Sequence, residues 1–341
     1  MLTKTVLKRV FPLILLLTVS FSSFAGDPYA LTKEEKAMML EEAEDCIDEM
    51  PEGLQDRISD AILHAMKGFG AEIEYFRSYP ENSIAPDNKV TVKCITDPEG
   101  GKTSCLLYQS QTVDSKTKLP LLIYFHGGGW SVGSLNAVDR FCRLTAAEGK
   151  IRVVSIDYPL APENNYQQIL ASCVGAIKKI KKTISGIAGV SSISLGGDGA
   201  GANLAYNSCL ALKDSSDFDG EIKSLVLFYP LTGDIVSKDD PLKRKYGKGY
   251  GLDSRLLETF YMAIDGIAVK GEIGTLPPTL LIMAGRDIII GAEEQFSSRL
   301  NPGNHNRSIV FDGSIHGFIT DGKQNTALQK ASEMTNLFVG K

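Results

Sequence analysis

Two titratable residues late in the chain have the types and the order of a catalytic acid and a catalytic base. Asp287 follows the apolar run 279–283, and His316 follows the run 308–311. Short runs of this kind are typical of buried parallel strands, whose carboxyl ends meet at one edge of a sheet. A lone Asp there is usually a turn residue, and a lone His before a glycine is usually on the surface. Their joint placement instead predicts an acid–histidine pair with its nucleophile upstream.

The upstream position at which this pattern expects a nucleophilic serine holds a glycine, Gly199. It lies in the run GDGAG at 197–201, after the strand-like run 192–195 and before the helix-like run 202–206. A strand, a tight turn and a helix are the setting of a G-x-S-x-G nucleophile elbow. The nucleophile of an elbow has a strained backbone, which glycine adopts without steric cost. We therefore expect the turn to be kept while the attacking hydroxyl is absent.

A glycine run stands directly after the apolar strand-like run 121–125. Residues 126–129 read HGGG. In isolation this run would be a plain turn. After a strand and ahead of an elbow, it matches a loop whose backbone N–H groups stabilise a developing oxyanion. Acyl transfer needs a nucleophile, a base held by a carboxylate, and oxyanion donors. The sequence therefore predicts the carboxylate-held base and the oxyanion donors, but it lacks the hydroxyl of the nucleophile.

Together the motifs resemble the hormone-sensitive-lipase-like family of α/β-hydrolases, which includes bacterial acyl esterases and plant carboxylesterases. The glycine run and the elbow are similar to the family's HGGG and GDSAGGNLA motifs, and three more runs are similar to its DYRLAPE, acid and histidine motifs. These runs are HGGGW at 126–130, GDGAGANLA at 197–205, DYPLAPE at 157–163, GRD at 285–287 and HGF at 316–318. The resemblance extends from about Val90 to the C-terminus, and several motifs in one order make it specific.

The resemblance implies residue roles as well as a fold. The oxyanion N–H groups would come from Gly128, Gly129 and Ala200. The ligand would be a small-molecule ester or carboxylate, and no cofactor or metal is expected. The sequence departs from the family pattern at two positions. Ala202 in place of the second elbow glycine is a minor steric change, whereas Gly199 in place of the serine is a major chemical one.

The order of elements predicts a single α/β-hydrolase domain over 26–341. Short apolar strands alternate with helices from residue 120 onwards, which indicates a mostly parallel central sheet with helices on both faces. An antiparallel hairpin before residue 110 would form one edge of the sheet. Helices at about 31–70 and an insertion at about 232–275 are predicted to form a helical cap above the carboxyl ends of the strands, where ligands bind in such sheets.

The first residues have the pattern of a secretory signal. A basic start precedes the apolar run 11–19, and small residues occupy the cleavage positions up to Ala25. The alternative is a membrane anchor, but the apolar run is shorter than the roughly 20 residues that a spanning helix needs. We therefore predict that residues 1–25 are a signal peptide. The mature protein would be exported, periplasmic or secreted, with no membrane span after cleavage.

The six cysteines are interpreted in light of that signal, because an oxidising compartment permits disulfides. Cys94 and Cys105 flank a turn at 97–101 between two strand-like runs. Folding the chain about that turn places them opposite each other, at a spacing that suits a disulfide. We therefore predict a Cys94–Cys105 bond. The other four are expected to be buried free thiols; they are Cys46, Cys142, Cys173 and Cys209.

Composition narrows the classes of partner. The chain has 341 residues and a formal net charge of -5. An acidic protein without a basic face does not suit a nucleic-acid backbone, so no nucleic-acid partner is expected. The sequence leaves the oligomeric state open.

Three functional hypotheses fit these residues. The first is an exported carboxylesterase- or lipase-type protein that binds a small ester or carboxylate and has weak or no acyl-ester hydrolysis. Without any hydrolysis it would be a non-catalytic binding protein. The second is a working hydrolase in which His316 and Asp287 activate water, or in which Ser131 or Ser194 serves as nucleophile. The third is an engineered Ser→Gly variant of an active esterase, which would have the same sequence.

Overall fold

The computed structural model describes most of the chain after the predicted signal peptide. The described residues are 27–78, 89–95, 104–184, 186–213, 215–216, 218, 220–232, 241–265 and 273–341. The predicted signal peptide and the hairpin turn at 97–101 lie outside them. The chain divides into a short unit, Met1–Ala30, and a large compact unit, Leu31–Lys341. The sheet, the helices and the candidate site belong to the large unit.

Eight strands form one sheet in the large unit. The strands are β1 (Val90–Ile95), β2 (Ser104–Ser110), β3 (Leu119–Phe125), β4 (Arg152–Asp157), β5 (Val190–Asp198), β6 (Ile222–Phe228), β7 (Thr279–Arg286) and β8 (Arg307–Ile315). Their spatial order is β1-β2-β4-β3-β5-β6-β7-β8. β2 pairs antiparallel with both β1 and β4, and the other neighbours pair parallel. The antiparallel hairpin therefore forms one edge of a mostly parallel sheet, as predicted.

Ten α-helices surround the sheet in the described residues. They are α1 (Lys33–Asp48), α2 (Leu54–Met66), α3 (Ala71–Ser78), α4 (Leu135–Ala147), α5 (Tyr166–Ile184), α6 (Ala200–Lys213), α7 (Pro241–Tyr246), α8 (Ser254–Ala263), α9 (Ile290–Ser298) and α10 (Asn325–Val339). The N-terminus of α1 has a capping box formed by neighbouring residues. The Thr32 hydroxyl accepts from the Glu35 backbone N–H, and the Glu35 carboxylate accepts from the Thr32 N–H.

Helices cover both faces of the sheet. α4 packs on β4 and against α10, while α5 packs against α6, which lies on β3, β5 and β6. Every residue of 121–125 in β3 is fully buried. A strand buried on both faces must be apolar throughout, which is why the central strands appear in the sequence as continuous apolar runs. The α/β-hydrolase architecture predicted from those runs is confirmed.

The helices predicted to form the cap make two different sets of contacts. α1 packs on β8 and α10, at the side of the sheet, whereas α2 packs on α8 and α3. α8 and the short α7 belong to the insertion predicted at about 232–275. Within that insertion, residues 233–240 and 266–272 lie outside the described residues. The N-terminal helix α2 therefore packs against α8, which begins about 200 residues later in the chain.

The predicted Cys94–Cys105 disulfide is wrong, because both cysteines are free thiols. The hairpin register differs by one residue from the symmetric one: Cys94 pairs with Leu106, and Cys105 pairs with Ile95. A shift of one residue turns a strand side chain to the other face of the sheet. Cys94 is accordingly exposed, while Cys105 is buried. The two thiols therefore face opposite sides of the hairpin.

This register predicts that the two cysteines differ strongly in reactivity. In the folded protein, Cys94 should react with iodoacetamide, and Cys105 should react only after unfolding, because burial raises the pKa of the Cys105 thiol to about 12. Mass spectrometry of peptides after timed alkylation measures both rates. The buried Cys173 in α5 is the internal control. A peptide carrying Cys94 and Cys105 as a disulfide under non-reducing conditions would show that the hairpin has the other register.

Candidate active site

Gly199 occupies the turn between β5 and α6. β5 ends at Asp198 and α6 begins at Ala200, so one residue makes the reversal, with φ +53°. The Gly199 N–H donates to the Phe228 carbonyl at 3.0 Å, and its own carbonyl accepts from the Leu231 N–H at 3.1 Å. Side chains rarely adopt this backbone conformation, whereas glycine does so without strain. The strand–turn–helix expected around Gly199 is present, and its backbone is held by hydrogen bonds to β6 and the loop that follows it.

Asp287 and His316 form a hydrogen-bonded pair at the ends of neighbouring strands. Asp287 comes directly after β7 and His316 directly after β8. The His316 Nδ1 lies 2.6 Å from the Asp287 Oδ2. The other Asp287 oxygen accepts from the Ile289 N–H at 3.2 Å, and the carboxylate is fully buried. Because Nδ1 donates to the carboxylate, the neutral ring has its acceptor lone pair on Nε2.

The Nε2 atom of His316 faces the position that a side chain at residue 199 would occupy. A Cβ built on Gly199 would lie 3.7 Å from the His316 Nε2 and 3.9 Å from the Tyr229 ring, which are ordinary contact distances. A serine hydroxyl on that Cβ could therefore reach the Nε2 without displacing either ring. The structure brings the three positions predicted for nucleophile, acid and base together in one place.

The three backbone groups predicted to bind an oxyanion line the same cavity as Gly199 and His316. Gly128 and Gly129 follow β3 with φ +110° and +57°, and Ala200 is the first residue of α6. The first N–H groups of a helix have no partner within it, and the helix dipole makes that end partly positive. Negative charge developing between the glycine loop and the start of α6 would therefore be stabilised.

The insertion packs directly on this loop and on the histidine. A Cβ on Gly129 would lie 2.1 Å from the Phe260 ring of α8, and a Cβ on Gly251 would lie 2.2 Å from the His316 carbonyl oxygen. Both positions therefore accept only glycine. These contacts show why glycines are required in two segments far apart in the chain.

A buried carboxylate below the turn was not predicted from the sequence. The Asp198 Oδ1 accepts from the Tyr124 hydroxyl and from the Gly127 N–H, each at 3.0 Å. Its Oδ2 accepts from the Tyr229 hydroxyl at 3.3 Å. Burial raises the pKa of Asp198 to about 6, in spite of these donors. Asp198 therefore connects the oxyanion loop to the start of the turn. A polar residue at the end of an apolar strand was the available signal, since buried charge needs partners.

Tyr229 holds the ring of the histidine in place. Its ring centre lies 4.7 Å from that of His316, and its hydroxyl also accepts from the Ile319 N–H at 3.1 Å. Tyr229 has a positive φ of +35°, which is uncommon for a residue with a side chain. Its place in the site depends on contacts with the loop after β8, so the sequence near residue 229 contained no signal for it.

The site opens into a cavity of about 600 Å³. Helices α2 and α8 supply much of its wall through apolar side chains, among them Leu54, Ile58, Leu256 and Phe260. Two polar side chains of α2 interrupt that wall. Gln55 is 8% exposed, and its Nε2 has no hydrogen-bond partner among the described residues. Arg57 also lines the cavity and makes no ion pair within the described chain. The wall can therefore accept both an apolar group and a hydrogen-bond acceptor.

The two alternative serines are not placed for attack. Ser131 is fully buried, and Ser194 donates to or accepts from the Ser224 hydroxyl at 2.8 Å inside the sheet. Neither is among the described residues that line the cavity. Position 199, and neither of these serines, therefore lies next to the His316 Nε2 at the cavity wall.

The described residues contain neither a metal-binding cluster nor a membrane-spanning helix. Within them, no group of three or more His, Cys, Asp or Glu side chains is arranged to hold a metal ion. No helix in the described ranges has both the length and the apolar character needed to cross a bilayer.

A carboxylate–histidine pair at the carboxyl edge of a mostly parallel sheet, beside a strand–turn–helix elbow, is the arrangement of α/β-hydrolases. The architecture is that of the carboxylesterase and lipase type. The chain belongs to the alpha/beta hydrolase fold family, whose model matches residues 122–320 and thus more than half of its length.

Curated relatives share part of this sequence. Carboxylic ester hydrolase LipN from Mycobacterium tuberculosis is 29% identical over 219 residues, which are 59% of this chain and 57% of that protein. Acetyl esterase from Salmonella paratyphi B is 33% identical over 160 residues, which are 46% of this chain and 48% of that protein. The chain therefore spans about half the length of the curated relatives it matches.

Solved structures share the fold over most of the chain. An alpha/beta hydrolase enzyme from the metagenome of Lake Arreo has a TM-score of 0.71 at 24% identity, covering 89% of this chain and 100% of that one. A fungal esterase structure from Rhizomucor miehei has a TM-score of 0.72 at 22% identity, covering 87% and 94%. At these identities the similarity concerns the fold.

His126, the first residue of the glycine run, is a buried neutral base. Its ring is fully buried, stacks 4.3 Å from the Tyr158 ring centre, and places Nδ1 2.7 Å from the Gly127 carbonyl oxygen. Burial lowers the pKa of His126 to about 4, below its ordinary value near 6.5. The unfolded chain therefore binds a proton between these two pH values that the folded protein does not bind.

We predict that His126 makes the folded protein less stable in mild acid. The contribution of the neutral His126 to the free energy of unfolding is fully present above about pH 6.5. It decreases as the pH falls towards 4, and the loss reaches about 2–3 kcal/mol at pH 4.5. Urea unfolding at pH 7 and pH 4.5 measures the decrease in the free energy of unfolding between these pH values. The decrease should be about 2–3 kcal/mol smaller in His126→Gln than in the unmodified protein. Asp198 is present in both proteins, so its own titration cancels.

His64→Gln is the matched control, because His64 is exposed and pairs with Glu72 on the surface. It should change the free energy of unfolding between the two pH values by less than about 0.5 kcal/mol. An equal pH dependence in His126→Gln and in the unmodified protein would contradict a buried neutral His126.

Proposed function

We propose that this chain is an exported α/β-hydrolase of the carboxylesterase and lipase type that binds a small acyl ester and lacks the serine nucleophile. As the sequence stands, acyl-ester hydrolysis is weak or absent. The observation that carries the proposal is the distance of 3.7 Å between a Cβ at Gly199 and the His316 Nε2, with His316 already paired to Asp287. Export rests on the signal-like residues 1–25.

The retained groups support ester binding. An ester carbonyl oxygen placed between Gly128, Gly129 and Ala200 would accept hydrogen bonds that strengthen as the oxygen becomes negative. The carbonyl carbon would then face Gly199, because these residues line one cavity. His316 would stand ready to take a proton from an attacking hydroxyl, and Asp287 would hold its ring in the correct tautomer. Only the covalent step has no group to perform it.

The loss of a triad serine has a large expected effect on rate. In one well-studied serine protease, its removal lowers kcat by on the order of a million-fold, and the oxyanion donors and substrate binding supply the residual rate. The fold is not expected to suffer, because glycine relieves the strain of the elbow. From these two effects we expect a folded protein whose site has almost no esterase activity.

The relatives support a small acyl ester as the ligand. Two of them are described as a carboxylic ester hydrolase and an acetyl esterase. The apolar cap wall of this chain is suited to an acyl or alcohol group of modest size in a cavity of about 600 Å³. We therefore assign short-chain esters as the first ligands to examine.

A non-catalytic carboxylate-binding protein is the second candidate, and the polar groups of α2 favour it. The Gln55 amide is a buried donor without a partner among the described residues, and Arg57 adds a positive charge to the same wall. A carboxylate bound by the oxyanion donors or by these side chains would satisfy them. Calorimetric titration with acetate and butyrate tests this candidate, because binding without ester turnover, both in the unmodified protein and in Gly199→Ser, would support it.

Gly199→Ser is predicted to restore esterase activity. A serine Oγ within about 2.6–3.2 Å of the His316 Nε2 would be activated as a nucleophile. We expect p-nitrophenyl acetate hydrolysis to rise at least about a hundredfold, short of a full gain because serine must bear the strain at this turn. Initial rates measure the gain, and a serine-directed phosphonate should label only the serine variant.

Gly199→Ala is the matched control for that gain. Alanine has the same backbone strain and a Cβ at the same distance from His316, but no hydroxyl, so its esterase rate should not rise. The proposal is overturned when the unmodified protein hydrolyses the ester at ordinary enzyme rates and is itself labelled by the phosphonate. Such a result would mean that another residue is the nucleophile.

A further inference from the structure

The absent side chain leaves a space beside the base. We infer that this space binds a small neutral nucleophile, and that His316 uses it to cleave esters by direct displacement without an acyl-enzyme. This activity rests on the ester binding proposed above and adds a reaction that the elbow serine does not perform. The class of co-substrate is a hydroxylic molecule of one or two heavy atoms, such as water, methanol or hydroxylamine.

The dimensions of the space set that size limit. The nearest heavy atoms to a Cβ at Gly199, outside its chain neighbours, are the His316 Nε2 at 3.7 Å and two Tyr229 ring carbons at 3.9 and 4.0 Å. The volume of a hydroxymethyl group is therefore open, and it adjoins the cavity, because Gly199 lines it. One water occupies about 30 Å³ of liquid volume, so one or two heavy atoms fit in the gap beside a bound ester, whereas a branched molecule would extend into the cavity that the ester fills.

The walls of the space are held rigidly. The backbone of Gly199 is fixed by its hydrogen bonds to Phe228 and Leu231. Tyr229 is held by Asp198 and by the Ile319 N–H, and His316 is held by Asp287. A site with fixed walls neither collapses into the gap nor widens for a larger guest, so selection by size is expected.

The base is oriented toward the guest. Because Nδ1 of His316 donates to Asp287, Nε2 is the acceptor and faces the gap. A hydroxylic guest would donate its proton to Nε2 and keep an oxygen or nitrogen lone pair directed at the ester carbonyl. Asp287 acts here as a positioning residue for the ring, as it would with a serine nucleophile.

The reaction balances without any other reagent. A lone pair of the guest forms a bond to the carbonyl carbon, the π electrons move to the oxygen held by the oxyanion N–H groups, and His316 takes the guest's proton. The tetrahedral intermediate then expels the alcohol, to which His316 returns the proton. Water yields a carboxylic acid and an alcohol, and hydroxylamine yields an acyl hydroxamate and an alcohol.

The full chain is tested with phenyl acetate and hydroxylamine, with N-tert-butylhydroxylamine, which keeps both the N–H and the O–H, as the bulky analogue. Phenol release and acetyl hydroxamate are both quantified, and the uncatalysed reaction is subtracted. The unmodified protein should accelerate hydroxamate formation with saturation in hydroxylamine and no burst of phenol. His316→Asn should lower this rate by about a hundredfold, the scale of general base catalysis. The tert-butyl analogue should give no acceleration.

Gly199→Ala distinguishes the gap from the rest of the site. Its methyl group fills the space and leaves His316 and the oxyanion loop in place, so hydroxamate formation should fall by about a hundredfold. Circular dichroism confirms that each variant is folded. Equal acceleration by the unmodified and alanine proteins, or by hydroxylamine and its tert-butyl analogue, would overturn the inference.

The outcome is separable from the proposed function. If Gly199→Ser hydrolyses phenyl acetate while hydroxylamine fails to accelerate the unmodified protein, ester binding stands and the displacement reaction is wrong. If neither protein acts on the ester under any of these conditions, the proposed ester-binding site is wrong.

Discussion

The turn at Gly199 joins three parts of the site through its backbone. Its N–H and carbonyl bind β6 and the loop after it, which places Tyr229 beside the gap. The same turn ends β5 at Asp198, whose carboxylate holds the glycine loop, and it begins α6, whose first residue, Ala200, lines the cavity. The relative positions of oxyanion loop, helix start and histidine thus depend on one backbone geometry, which a glycine adopts at no steric cost.

The persistence of the remaining site has a physical explanation that does not require catalysis. Asp287 is fully buried, and removing His316 would leave the Asp287 Oδ2 without its hydrogen-bond donor, which is destabilising. Asp198 is likewise satisfied by two tyrosines and the Gly127 N–H. Position 199 is different, because a glycine there avoids the backbone strain that a serine would bear and leaves no buried group unpaired. Folding stability therefore depends on Asp287, His316 and the glycine loop, but it does not require a side chain at position 199.

The sequence predicted the acid, the base and the glycine loop because each lies directly after an apolar run that forms a strand. Asp198 and Tyr229 were missed because their roles come from partners 31 residues or more away along the chain. The disulfide prediction failed for a related reason. Strand register depends on how both strands pack on the sheet, and a shift of one residue separates Cys94 from Cys105 across its two faces.

The amino-acid sequence by itself determined the α/β class, the order of the motifs and the absence of a nucleophilic hydroxyl at the turn, since these follow from residue types and short-range periodicity. Only the tertiary structure decided that His316 faces the gap, that Ser131 and Ser194 lie outside the cavity, and that α2 and α8 close over it. These features arise from contacts between segments far apart in the chain, whose geometry is set by packing of the whole core rather than by local preference.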